Sequence, residues 1–253
     1  MRLKGRRIIV TGGAHGIGAA TARAYAREGA RVAILDVEDD AGRLVADAAG
    51  HGAIYHHCDV SQRAEVDAVF DRVAADLGGL DVLAHVAGAE GGAPAEGITD
   101  AEWDRIFDVN VKGTLYTNQA AFRHLCERGG RIINFGSGAG IRGQRGSAHY
   151  AASKGAVMSW TRTVAQEWAR HGITVNSVVP AIWTRMYDSH RGRMNEHERA
   201  IHDAAMAHVI PLGGKLGDPD HDIAPVMVFL AGDGPRFMTG QAIVVDGGMI
   251  MLG

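Results

Sequence analysis

Seven short apolar runs recur along the 253-residue chain, at Arg7–Val10, Val32–Leu35, Ala53–Cys58, Asp81–Val86, Arg131–Phe135, Thr174–Val179 and Ala242–Val245. Most are unbroken stretches of Val, Ile and Leu. A strand with one wet face alternates apolar and polar residues. A strand buried on both faces does not, and that is the situation in a parallel sheet covered by helices. The segments between the runs carry helical patterns. Val66, Phe70, Val73 and Leu77 step by four, three and four, drawing one stripe along a helix. Glu102 to Glu127 reads as one long helix, with Trp103, Ile106, Phe107 and Leu115 available for packing. Tyr150 to Arg170 reads as another, ended by Gly172 in a left-handed cap. Strand and helix alternate throughout, which predicts an α/β, doubly wound sheet with right-handed crossovers.

A composition that is 46% hydrophobic is ample for such a core, and no repeat, low-complexity tract or linker divides the chain, so residues 1–253 read as a single domain. The formal net charge of −3 gives no reason to expect nucleic acid or an anionic membrane surface as partner. No apolar run approaches the roughly 18 residues of a membrane span. The basic start, Met1 to Arg7, precedes Ile8-Ile9-Val10, but that segment is shorter than the core of a signal peptide and reads as a lead-in to the first strand. Cys58 and Cys126 have neither metal-ligand spacing nor a redox motif, so reduced thiols in a cytoplasmic protein are expected. The histidines are scattered, with His56 and His57 pointing to opposite faces of a strand, and no metal site is expected.

The first strand runs into Thr11-Gly12-Gly13-Ala14-His15-Gly16-Ile17-Gly18, which opens a helix. Such a turn lets backbone approach a dinucleotide pyrophosphate, and the helix N-terminus offers N–H donors and a positive dipole end. The same turn also serves as a purely structural tight corner, and only its strand–turn–helix setting argues for the ligand. Asp36 ends the second strand, where a carboxylate accepts both hydroxyls of an adenosine ribose and repels a 2′-phosphate. With Val37 beside it and no Arg or Lys in the turn, NAD is favoured over NADP. A plainer role for Asp36 is to cap the next helix. Asp59, after the third strand and before Val60, has two comparable roles, at the adenine edge or as a cap.

Tyr150 and Lys154 lie four apart on one helix face, so a phenol stands beside an ammonium. A free phenol, with pKa about 10, is a poor base near neutrality, and an adjacent cation lowers that value. Ser137 follows the fifth strand and places a donor where negative charge develops on a substrate oxygen.

The glycine turn, Asn110, Ser137, Tyr150 and Lys154, the run Val175-Asn176-Ser177-Val178-Val179-Pro180, and the closing Thr239-Gly240-Gln241 with Val245-Asp246-Gly247-Gly248 together resemble the short-chain dehydrogenase/reductase family, in order and over nearly the whole chain. The resemblance implies a Rossmann sheet of seven parallel strands in the order 3-2-1-4-5-6-7. It implies an enzyme moving a hydride between a nicotinamide coenzyme and a secondary alcohol or ketone. Tyr150 exchanges the proton, Lys154 also holds the nicotinamide ribose, and Ser137 binds the substrate oxygen. Asn110 supports a water leading from the lysine to solvent, or acts only in packing at a helix kink. The coenzyme contacts implied are Gly12, His15, Gly16, Ile17, Gly18, Asp36, Asp59, Val60, Ala87, Gly88, Tyr150, Lys154, Pro180, Ile182 and Thr184. Two departures stand out. His85-Val86-Ala87-Gly88 replaces the family's Asn-Asn-Ala-Gly, and Pro180-Ala181 replaces Pro-Gly.

About 40 residues after the sixth strand carry no strand signal, and residues 183–215 read as a substrate lid or, alternatively, a helical decoration. Ser137, Ile141, His149, Trp183, Met186 and Tyr187 are the candidate substrate pocket, largely apolar, with packing as the simpler role for His149. Two rival functions stand beside the NAD-dependent alcohol dehydrogenase: an NADPH-dependent reductase of 3-oxoacyl thioesters on acyl carrier protein, and a nucleotide sensor without catalysis. The apolar end, Met249 to Leu252, suggests a subunit interface and, by resemblance, a homotetramer or homodimer.

Overall fold

The computed structural model describes residues 1–251, apart from the side chains of Arg185, Met186, Ser189 and His190. Its strands are β1 (Arg7–Thr11), β2 (Arg31–Asp36), β3 (Ile54–His57), β4 (Val82–His85), β5 (Gly130–Phe135), β6 (Ile173–Pro180) and β7 (Ala242–Val245). They form one seven-stranded sheet in the order β3-β2-β1-β4-β5-β6-β7, every neighbouring pair parallel.

The unbroken apolar runs find their explanation in two cores, one on each face. Ile8, Val10, Val32, Ile34, Val82 and Ala84 point to the side covered by α1 (Gly16–Arg27), α2 (Asp39–Ala49) and α10 (Ala224–Ala231). Ile9, Ala33, Leu35 and Leu83, one residue out of phase, point to the side covered by α3 (Arg63–Leu77), α5 (Gly113–Leu125) and α7 (Ala148–Trp168). Successive strand residues face opposite ways, so both must be apolar. The stripe Val66, Phe70, Val73, Leu77 on α3 is wholly buried in the second core. Gly172, at φ +69°, caps the turn that follows α7.

The long helix expected over Glu102–Glu127 is broken. It consists of α4 (Asp100–Phe107), a π-turn (Asp108–Lys112) and α5. Thr99 caps α4 by accepting from the Glu102 N–H at 3.2 Å. The π-turn inserts one residue and swings Asn110 into the interior, where it is 1% exposed. Beyond β6, the expected lid region forms α8 (Arg185–Gly192) and α9 (Glu196–Val209), with α9 opened by a reciprocal Asn195–Glu198 capping box. None of the α9 residues is buried. It is tied to α8 by Tyr187 with His202 and by Arg191 with Asp203. Among the described residues no helix is long and apolar enough to cross a membrane.

Candidate active site

The strand order reverses between β1 and β4, and the chain leaves those two strands in opposite directions across the sheet. A cleft of about 710 Å³ opens at their C-terminal ends, the place where open α/β sheets hold ligands. The glycine turn forms its floor. At Gly12 (φ +65°) a Cβ would stand 2.6 Å from the Ala87 backbone, and at Gly18 one would stand 2.0 Å from the Gly12 carbonyl oxygen. His15, the N-cap of α1, makes no side-chain cap, which leaves the first-turn N–H groups directed at the cleft. Every coenzyme residue expected from the sequence lines this cleft except Ile182.

Ile182 is a correction. It is 7% exposed and packs into the core against Gly217 rather than walling the cleft. The cause is a bridge between Ile182 and Gly217, flanked by the Gly217 N–H donating to Ala181 O (3.1 Å) and the Trp183 N–H donating to Gly217 O (2.8 Å).

Asp36 joins the two halves of the adenosine end. Its Oδ2 accepts from the Ala14 N–H at 2.9 Å and its Oδ1 from the Glu38 N–H at 3.1 Å. Glu38 lines the same end, and no arginine among the described residues lines the cleft. Carboxylate oxygens are acceptors, the kind of group to which the hydroxyls of a ribose diol would donate. Asp59 lines the cleft too, while its Oδ1 accepts from both N–H and Oγ of Ser61 (2.9 and 2.8 Å). Cys58, missed by sequence reasoning, also lines the wall, and burial pushes its thiol up to about 12, which leaves it unreactive.

At the other end, Tyr150 projects from the first turn of α7, and Ser137 stands in the loop between β5 and the short helix α6 (Ala139–Arg142), where its Oγ accepts from the Ala139 N–H at 3.2 Å. Ser137 borders a second, smaller cavity of about 130 Å³. Tyr150 lines the large cleft and Ser137 the small cavity, and Pro180 borders both. Lys154 Nζ lies 6.0 Å from the Tyr150 ring centre, donates to Phe135 O at 3.0 Å, and is lowered by burial to about 8. The expected lowering of the phenol pKa by that ammonium is absent here. Burial raises the Tyr150 phenol, the Ser137 hydrogen bond opposes this, and the Glu90 charge adds to it. The lysine is spent on a carbonyl instead of the phenol oxygen.

Asn110 uses its whole carboxamide. Its Oδ1 accepts from Ala89 N–H and its Nδ2 donates to Ala89 O, each at 2.8 Å, and Nδ2 also donates to Ser153 Oγ at 2.9 Å. It thus ties the loop after β4 to α7. Its Oδ1 and Lys154 Nζ both come within 3.2 Å of the point where a Gly88 Cβ would stand.

His85 takes over one link of the family's missing amides. Its Nδ1 pairs with Thr11 Oγ1 at 2.8 Å across β4 and β1, and the Ala87 N–H donates to the same oxygen at 3.3 Å. Complete burial, aided by the Lys154 charge, holds its pKa near 3, so the imidazole is neutral.

The substrate-pocket residues scatter. Ser137 borders the small cavity, but His149 is fully buried against Glu102 (3.5 Å) and reaches neither cavity. Ile141 borders neither. Trp183 and Tyr187 pack edge to face at 4.7 Å, and Trp183 Nε1 donates to Asp188 at 2.7 Å, so these aromatics engage one another and line neither cavity. The Met186 side chain lies outside the described residues. The chain's own tail supplies what was missed: Met249 and Ile250 wall the small cavity beside Arg142 and Gln144, and Ile250 Cδ1 is 2.6 Å from where a Gly138 Cβ would be. That position was read from the sequence as a subunit contact, and Leu252 lies outside the described residues.

The family model described as Enoyl-(Acyl carrier protein) reductase matches residues 12–250. The chain belongs to the short-chain dehydrogenase/reductase family. Galactitol 2-dehydrogenase of Agrobacterium fabrum is 36% identical, with 98% of each chain covered. Sorbitol dehydrogenase of Cereibacter sphaeroides is also 36% identical, again with 98% of each covered. Cis-4-hydroxycyclohexanecarboxylate dehydrogenase of Sinomonas cyclohexanicum is 39% identical over 95% of this chain and 94% of its own. A solved structure from Sinorhizobium meliloti 1021, assigned to the short-chain alcohol dehydrogenases, superposes with a TM-score of 0.89 at 34% identity, covering 98% of this chain and 97% of that one. The protein is an oxidoreductase of this family, whose members use nicotinamide cofactors.

Proposed function

We propose that this short-chain dehydrogenase/reductase interconverts a secondary alcohol and its ketone with NAD as coenzyme. The observation that carries the reading is that Tyr150 and Lys154 line the large cleft while Ser137 borders the small cavity, the two cavities sharing Pro180. Gly12, Gly16 and Gly18 would seat the pyrophosphate and Asp36 the adenosine ribose, with Lys154, Pro180 and Thr184 at the nicotinamide end. Bound there, the coenzyme supplies the hydride acceptor for oxidation and the donor for reduction.

The chain's residues supply position and proton. Ser137 Oγ donates to the substrate oxygen and stabilises charge that grows there. Tyr150 Oη gives its proton to that oxygen in reduction and takes it back in oxidation. The raised phenol pKa keeps Tyr150 protonated near neutrality, the form needed for ketone reduction; oxidation requires its loss and so runs faster as pH rises. Asn110 holds the Ala89 loop against α7 and thereby fixes the wall facing Tyr150.

The thioester reductase with NADPH is the weaker reading. Asp36 and Glu38 line the end where a 2′-phosphate would rest, and Lys154 is the one lysine on the cleft, at the far end. A sensor without catalysis has no use for Ser137, Tyr150 and Lys154 gathered at one point. Polyols and a hydroxy acid both figure in the names of relatives, so the family leaves the substrate's charge open.

Screening secondary alcohols and ketones with NAD and with NADP, followed at the reduced-nicotinamide absorbance, tests the proposal. Turnover with NAD is expected. The Asp36→Ala variant should lose about tenfold or more in NAD affinity and much less for NADP, the loss being that of paired ribose hydroxyls. Equal losses would remove the ribose contact from the reading.

A further inference from the structure

The loop after β4 is clamped at three successive residues. Ala89 is held on both its N–H and its carbonyl by Asn110, at 2.8 Å each. Glu90 O accepts from Arg105 Nη2 at 2.8 Å, and the same guanidinium grips Glu102 through Nε (3.1 Å) and Nη2 (2.8 Å). Gly91 lies where Glu102 and His149 meet: a Cβ there would stand 2.3 Å from Glu102 Oε1 and 2.5 Å from His149 Nε2. The backbone either side of Glu90 is therefore fixed to α4, to the π-turn and to the residue just before Tyr150. Such fixing matters because a side chain on a mobile loop selects poorly.

Glu90 itself lines the cleft beside Tyr150. Among the described residues, the lining groups that carry charge at this end of the cleft are Glu90 and Lys154, and the Lys154 amine is turned onto Phe135 O. A substrate arriving at Tyr150 thus meets the exposed side chain of Glu90, carried on a backbone that is held in place. That carboxylate is near enough for its charge to be felt by the Tyr150 phenol.

We propose that Glu90 is a specificity-determining residue that admits neutral, hydroxyl-bearing substrates and excludes anionic ones. This rests on the dehydrogenase reading above and deepens it. A hydroxyl beside the reacting carbon donates to the carboxylate in a charge-assisted hydrogen bond. A carboxylate or phosphate on the substrate is repelled, and even with the screening of an exposed site this amounts to about tenfold in kcat/KM. The exclusion works as a repulsive element. Vicinal diols, open-chain polyols and cyclic diols are the class it selects; hydroxy acids and phosphate-bearing thioesters are the class it turns away.

The test compares kcat/KM on matched pairs, each a neutral diol and the hydroxy acid of the same carbon skeleton, starting with butane-2,3-diol and 3-hydroxybutanoate and extending to hexitols and their aldonic acids. Wild type should prefer the diol. Glu90→Gln, nearly isosteric, should cut the diol-to-acid ratio about tenfold, and Glu90→Lys should cut it further and favour the acid. Raising salt to about 1 M should shrink the wild-type preference and leave that of Glu90→Gln in place. Melting temperatures close to wild type confirm folding, and Glu90→Gln alone decides the matter if Glu90→Lys fails to fold. A ratio unmoved within about twofold by Glu90→Gln, or a wild type that prefers the acid, overturns the role of Glu90 while leaving the dehydrogenase intact. Absence of turnover on every alcohol and ketone with either coenzyme overturns the dehydrogenase reading, and the specificity role falls with it.

Discussion

Single side chains here act through their neighbours more than through their own chemistry. Burial raises the Tyr150 phenol, with Ser137 and Glu90 adjusting it, and removal of its hydroxyl tests the proton step. Tyr150→Phe should lower kcat by about 10²–10⁴-fold while coenzyme still binds, measured by fluorescence of the reduced nicotinamide. Retained turnover would place the proton donor elsewhere. His85 offers a test on stability. Its pKa is held near 3, against the usual value of about 6.5. Between those values the unfolded chain takes up a proton that the folded chain refuses, so stability falls as pH drops through that window, by up to about 1.4 kcal/mol per pH unit, and is unaffected above it. His85→Asn should show a shallower loss than wild type in urea unfolding at pH 7, 6 and 5. Equal slopes would mean that the imidazole is not buried and neutral. Ser137, Tyr150 and Lys154 were legible because their spacing on one helix and one loop is local. Glu90 was not, since Glu90-Gly91-Gly92 looks like any polar turn until Arg105, Asn110 and His149 close around it.

Elements followed the apolar patterning wherever both faces were covered. The inner strands fall within a residue or so of the expected runs because most of their positions are apolar and buried on one face or the other, although Asn134 of β5 and Thr174, Asn176 and Ser177 of β6 are buried and polar. The π-turn at Asp108–Lys112 left no such trace: Asp, Val, Asn, Val and Lys are all compatible with an α-helix, and Gly113 directly after them continues in helical geometry. What sustains it is the carboxamide of Asn110 bonding to Ala89 and Ser153, together with Thr114 Oγ1 donating to Asn110 O at 2.6 Å. The glycine turn is the tightest element. Gly18→Ala would drive a methyl into the Gly12 carbonyl, 2.0 Å away, with only backbone to yield. The variant should lose coenzyme affinity at least tenfold and melt several degrees lower in differential scanning calorimetry. A variant with unchanged affinity would show that the turn does not seat the pyrophosphate.

For the whole molecule, the sheet presents two outer strands, β3 and β7. Ala242, Ile243, Val244 and Val245 of β7 are only half-buried, and the segments just before it expose Phe229 on α10 and Phe237, which is wholly uncovered. Apolar surface of this kind on an outer strand seeks a partner. A homotetramer or homodimer is therefore expected, with this edge at a subunit contact; sedimentation equilibrium should give a mass of two or four chains, and Phe237→Asp should shift it toward one. A wild-type monomer at micromolar concentration would refute this. Met249 and Ile250, part of the apolar end expected at an interface, wall the small cavity beside Ser137 in their own chain, while Met251 is exposed.

Sequence alone determined the layered sheet, the order of motifs and the chemistry gathered at Tyr150, because these rest on periodicity and on residues close along the chain. Tertiary structure decided which groups surround that chemistry: Ile182 withdrawn into the core, Lys154 bonded to Phe135, His149 covered by Gly91, Glu90 fixed on the wall and Ile250 folded back over Gly138. Each of these depends on contacts between segments far apart in sequence, whose geometry no local pattern encodes.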